Sequence, residues 1–136
     1  MIGILILAQK DVGIGLVRAV EHVLGSCPPN LAAFPVNYDQ PPEQLAEAME
    51  REVAKMDSGD GVLILADIYG ATHINVACRI LSRGRVELVA GVNLPMVIRV
   101  LNYRSLKMSD LIDKALKGGV EGILCATDCC YAEIRR

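Results

Sequence analysis

Two uninterrupted aliphatic runs, Ile2–Ala8 (IGILILA) and Val62–Ala66 (VLILA), constrain the fold more than any other feature of the chain. A strand with one wet face alternates apolar and polar residues, so a run with no polar position predicts a strand covered on both faces. Such strands need helices above and below them. The intervening segments are suited to that task. Val12–Leu24 places apolar or small residues at 13, 16, 17, 20, 23 and 24, which is helix spacing. Gly25 fits the position just past that helix, and Pro28-Pro29 prevents its continuation. Leu31–Val36 reads as a second strand, and Pro35, which has no N–H to donate, puts it at a sheet edge. Pro41-Pro42 opens a helix to about Met56, with Leu45, Met49, Val53 and Met56 on one stripe. Ser58–Gly61 is turn chemistry leading into Val62–Ala66.

The second half continues the alternation. The pattern predicts a helix over Asn75–Ser82, a strand over Val86–Val92 and a helix over Leu94–Asn102 with Pro95 in its first turn. A further helix covers Ser109–Leu116, with Ser109 as N-cap and Gly118-Gly119 as terminator. Gly122–Ala126 reads as a last short strand. The expected fold is a three-layer α/β/α, doubly wound domain around a mainly parallel sheet. It spans residues 1–136 as a single domain, with 121–136 as C-terminal strand and tail.

Composition narrows the function. Apolar residues make up 52% of the 136 and charged residues 22%, which suits a packed core rather than a disordered chain. A net charge of −2 and few aromatics argue against nucleic acid as a partner. No apolar run reaches the length of a membrane helix, and Ile2–Ala8 lacks the flanks of a secretory signal. The five cysteines, at 27, 78, 125, 129 and 130, read as reduced thiols of a cytoplasmic protein. Cys27 and Cys78 look structural. Cys125, Cys129 and Cys130 could bind metal or exchange disulfides, but no CxxC and no neighbouring His complete a zinc set, so no metal or cofactor is expected. Only two histidines, His22 and His73, are available for imidazole chemistry. His22 falls off the apolar stripe of its helix and reads as exposed.

In doubly wound folds ligands bind at the carboxyl ends of strands. There the chain places Gln9-Lys10-Asp11, Asp67-Ile68-Tyr69-Gly70-Ala71-Thr72-His73 and Gly91-Val92-Asn93-Leu94-Pro95. Asp67 ends a buried run. Gly70 and Ala71 permit close backbone approach, Thr72 brings a hydroxyl and His73 an imidazole. Lys10 and the amides of a helix start favour an anion. The plainer alternative makes Asp67, Asp11 and Thr72 caps and Lys10 and His73 solvated surface. VGIG at 12–15 is not a dinucleotide fingerprint, because Arg18 stands where the third glycine would be.

MIGILILA at the start, DGVLILADIYGAT at 60–72, Asn75 and AGVNLPM at 90–96 together resemble the enzyme IIA component of the mannose/fructose/sorbose class of the bacterial sugar phosphotransferase system. The resemblance runs from residue 1 to about 124. It implies a mainly parallel α/β fold and a homodimer, in which a C-terminal strand matching Gly122–Ala126 crosses to the partner. It also implies a phosphoryl relay. A histidine at the end of the first strand takes phosphate from the carrier HPr and passes it to a IIB partner. An aspartate matching Asp67 orients that histidine, and a hydroxyl matching Thr72 helps hold the phosphate. Contact with the membrane would be at most peripheral, through a transporter.

The chain departs from this pattern at its centre. Gln9 stands in the acceptor histidine's place, Lys10 replaces the glycine that follows, and His73 replaces a common proline. An amide nitrogen is delocalised into its carbonyl and cannot form a phosphohistidine. Three expectations follow: a degenerate component that binds partners without carrying phosphate, an active carrier that uses His73, or a cleft adapted to a small anionic ligand around Lys10, Gly70, Ala71 and Thr72. The first is preferred for the mechanism.

Overall fold

The computed structural model of the protein describes residues 1–36, 39–68 and 72–134, with backbone only for 72–74 and 131–134. Four strands, β1 (Gly3–Gln9), β2 (Leu31–Val36), β3 (Val62–Ala66) and β4 (Val86–Ala90), form one sheet in the order β2-β1-β3-β4. Every pairing is parallel, with Leu7 opposite Phe34 on one side and Ala66 on the other. The aliphatic runs occupy the two central positions, where both faces are covered. Ile4, Ile6, Ala8, Leu63 and Leu65 face one layer, while Leu5, Leu7, Val62, Ile64 and Ala66 face the other. The period of two therefore persists in these runs, with both of its phases apolar. Pro35 sits on edge strand β2, as expected.

The first layer comprises α1 (Lys10–Leu24), α4 (Leu94–Asn102) and α5 (Met108–Glu121), through Val20, Met96, Val97, Val100, Leu111 and Ala115. The second comprises α2 (Pro42–Met56) and α3 (Thr72–Ala77). The stripe Leu45, Met49, Val53 and Met56 is buried as the spacing predicts. Gly25 ends α1 in the left-handed conformation (φ 78°), its N–H donating to the Glu21 carbonyl. His22 is exposed in the last turn of α1. Asp57 closes α2 and accepts from the Gly59 and Gly61 N–H groups at 2.9 and 3.0 Å, fixing the turn into β3.

Several boundaries differ from expectation. The third helix starts at Thr72 and stops at Ala77, because i→i+3 bonds from Arg79 and Ile80 tighten its end and Ser82 then pairs with Val86. Cys78 therefore lies past the helix, and all five cysteines are exposed and unpaired, so Cys27 and Cys78 fill no core position. A hydrogen bond with Glu21 raises the Cys27 thiol above its ordinary value. Strand β4 ends at Ala90, where Gly91 turns the chain with φ 86°. Lys107, not Ser109, stands at the N-cap of α5.

Gly118-Gly119 does not terminate α5 but lies inside it, buried against α4. A Cβ at Gly118 would sit 2.6 Å from Arg99 Cβ, and one at Gly119 would sit 2.8 Å from Met96 Cε. The glycines are a close helix–helix contact rather than a stop signal. Residues 123–125 form no strand in the single chain, and α6 (Ala126–Ile134) follows. A strand needs a paired edge for its N–H and C=O groups, and among the described residues none pairs with this segment.

Candidate functional site

The strand order reverses between β1 and β3, the two fully buried runs. In a parallel open sheet this is where the flanking connections diverge and leave a crevice at the carboxyl ends. Gln9 ends β1 there, and Asp67 follows β3 directly. The structure brings these two sequence-predicted residues together: the Gln9 backbone N–H donates to Asp67 Oδ2 at 3.2 Å. Asp67 Oδ1 accepts from the Ile68 N–H at 2.8 Å, and the Asp67 N–H donates to the Leu7 carbonyl at 3.2 Å.

The Gln9 side chain turns the other way, onto the helix that follows. Its Oε1 accepts from the backbone N–H groups of Asp11 (2.9 Å) and Val12 (3.2 Å), making Gln9 the N-cap of α1. Its Nε2 reaches Asp11 Oδ2 at 3.4 Å. Glutamine is outside the usual N-cap set of Ser, Thr, Asp and Asn, so no sequence signal pointed to this role. Asp11, one of the caps the plainer alternative offered, lies inside the first turn, and α1 begins at Lys10 rather than Val12.

This geometry bears on anion binding. The α1 amides of Asp11 and Val12 are already occupied by Gln9 Oε1. Around them stand the carboxylates of Asp11 and Asp67 and the exposed ammonium of Lys10. Among the described residues, two carboxylates beside one ammonium make a poor electrostatic seat for phosphate. Thr72 and His73 open α3 at the carboxyl end of β3, with their side chains outside the described residues. Gly70 and Ala71 lie outside the described residues altogether.

The third strand-end segment has a structural role. Asn93 caps α4, accepting from the Met96 N–H at 2.9 Å, and its Nδ2 donates to the Gly119 carbonyl at 3.0 Å. One amide thus ties the loop after β4 to α4 and α5. Cys125, Cys129 and Cys130 are exposed, and among the described residues no group of three or more His, Cys, Asp or Glu side chains is arranged to hold an ion. No helix of the described residues is long and apolar enough to cross a membrane.

Comparison with known proteins points in one direction. The family model described as "PTS system fructose IIA component" matches residues 3–116. The fructose-specific EIIA component of the Bacillus subtilis phosphotransferase system is 30% identical over 115 residues, covering 83% of this chain and 78% of the relative. The mannose-specific EIIAB component of Escherichia coli is 37% identical over 84 residues, which is 60% of this chain. That match spans only 26% of the longer relative. Among solved structures, the EIIA component from Streptococcus agalactiae superposes with a TM-score of 0.83 at 24% identity, covering 95% of this chain and 100% of that one. The mannose/sorbose-specific IIA subunit from Enterococcus faecalis gives 0.79 at 16% identity, covering 91% and 93%. At these identities the two structures speak for the fold alone.

Proposed function

Because the chain belongs to the PTS system fructose IIA component family, we propose that it serves phosphotransferase sugar transport as a partner-binding component that carries no phosphate itself. One observation carries this reading. The residue in the place that the resemblance gives to the acceptor histidine is Gln9, and its side chain is spent capping α1. Phosphoryl relay through a IIA component requires a nucleophilic nitrogen that can be phosphorylated and then give the group up. The Gln9 carboxamide has no such nitrogen. Its main-chain N–H holds the Asp67 carboxylate, the group that in the family pattern orients the acceptor.

The partners follow from the family: HPr-like and IIB-like proteins meet the carboxyl end of the sheet, on the cytoplasmic side of a membrane transporter. A homodimer belongs to the same proposal. Leu116, Val120, Ile123 and Leu124 are exposed at the end of α5 and just beyond it, next to the segment that the resemblance assigns to strand exchange.

The test is a relay reaction with enzyme I, HPr and labelled phosphoenolpyruvate. The wild type is expected to take no label, and Gln9→His, with Lys10→Gly added, is expected to gain it. Phosphohistidine at His73, located by mass spectrometry of the wild type, would overturn the proposal in favour of a relocated acceptor.

A further inference from the structure

A cleft of about 650 Å³ opens at the other end of the sheet, among the amino ends of the strands and the turn between α4 and α5. Arg104 lies on its wall and is only 7% exposed. Its Nε and Nη2 donate to the Ile2 carbonyl at 3.2 and 2.8 Å, Nη2 also donates to the Asn30 carbonyl at 2.8 Å, and Nη1 donates to the Pro29 carbonyl. A guanidinium has five N–H groups, so one on Nη1 is left over. Among the described residues no carboxylate pairs with this charge. Burial lowers the Arg104 pKa from its ordinary value, yet the three carbonyl oxygens of Ile2, Pro29 and Asn30 keep the cation in place.

The same wall carries a second uncompensated cation. Lys107 stands at the N-cap of α5, where no side chain accepts from the first-turn N–H groups. An ammonium at the positive end of a helix is the reverse of the usual arrangement. Lys107 forms no ion pair among the described residues, and the Met108 and Ser109 N–H groups make no backbone bond. The one carboxylate lining the cleft, Asp60, is bonded to the Met1 ammonium. Cations therefore outnumber carboxylates on this wall, although the whole chain carries a net charge of −2. Leu106 and Met108 add apolar surface beside them.

We propose that this cleft binds a small phosphomonoester. Lys107, the remaining Arg104 N–H and the open α5 amides take the phosphate, while Leu106 and Met108 contact the organic part. A dianion matches two cationic side chains and a helix N-terminus better than a monoanionic carboxylate does. The cleft is at the opposite end of the sheet from Gln9 and Asp67, so the proposal stands whether or not the chain carries phosphate.

Amide chemical shifts of the full-length protein, titrated separately with glycerol 3-phosphate, inorganic phosphate and glycerol, test this. Glycerol 3-phosphate is expected to shift the amides of residues 105–109 saturably, and inorganic phosphate to shift the same amides with weaker affinity. Lys107→Glu is expected to weaken binding by about tenfold or more. That variant puts a favourable charge at a helix start, so loss of binding does not report loss of fold. Unsaturable shifts with glycerol 3-phosphate, equal shifts with glycerol, tighter binding of inorganic phosphate than of the ester, or unchanged affinity in Lys107→Glu would each overturn the proposal.

Discussion

At residue scale, Gln9 has two engagements that are chemically separate. Its backbone N–H joins β1 to the Asp67 carboxylate, and its side-chain oxygen caps α1. Replacing Gln9 with Ala removes only the second. The expected loss is about 0.5–2 kcal/mol of unfolding free energy, the usual effect of deleting an N-cap, read from urea denaturation. A loss near zero would mean that solvent satisfies those amides as well as Gln9 does. The position was legible in the sequence, since a strand end that departs from a motif is visible by inspection. The capping role was not, because glutamine is rarely a cap and only the backbone path from β1 into α1 brings Oε1 over the Asp11 and Val12 amides.

At the scale of elements, the four strands and the first two helices were readable because each is a long periodic run with its own stop signal. Where local signals competed with tertiary contacts, the contacts prevailed. Gly118-Gly119 has the local look of a helix end, but α4 packs so close that the helix continues through both glycines. Two substitutions separate packing from propensity. An interior Gly→Ala gains about 1 kcal/mol in helix propensity, whereas overpacking costs about 1–3 kcal/mol. Gly118→Ala meets Arg99 Cβ, close to the α4 backbone, and is expected to lower the unfolding midpoint. Gly119→Ala meets the flexible end of Met96 and is expected to leave it level or raise it. The turn after α2 gives a pH signature. The Gly59 N–H, then the Gly61 N–H, then the Arg85 guanidinium hold the Asp57 carboxyl below the usual carboxylate value. A depressed folded value stabilises above the unfolded value of about 3.9 and is lost as pH falls through the folded one. Asp57→Ala is therefore expected to melt at a lower temperature at neutral pH. The gap to wild type should narrow as the medium is acidified through that range, and a gap independent of pH would contradict this account of the turn.

At the scale of the whole molecule, the sheet order puts the two most buried strands side by side and Gln9 and Asp67 at the crevice between their ends. The family and the three-layer fold were legible in the motifs and runs. The C-terminal segment was not: residues 123–125 form no strand in the single chain, and α6 begins at Ala126. Light scattering at micromolar concentration is expected to give twice the 14.7 kDa chain mass, and a charge placed at Val120 or Ile123 is expected to shift it toward the monomer. A wild-type monomer would remove the dimer from the proposal. The proposal at the centre is narrower: with Gln9 in the place that the resemblance gives to the acceptor histidine, the chain carries no phosphate. Incubation of the wild type with enzyme I, HPr and labelled phosphoenolpyruvate, with HPr labelling as the internal control, measures it directly. The account requires labelled HPr beside an unlabelled wild-type chain, and stable transfer of label to that chain, at His73 or anywhere else, would contradict it.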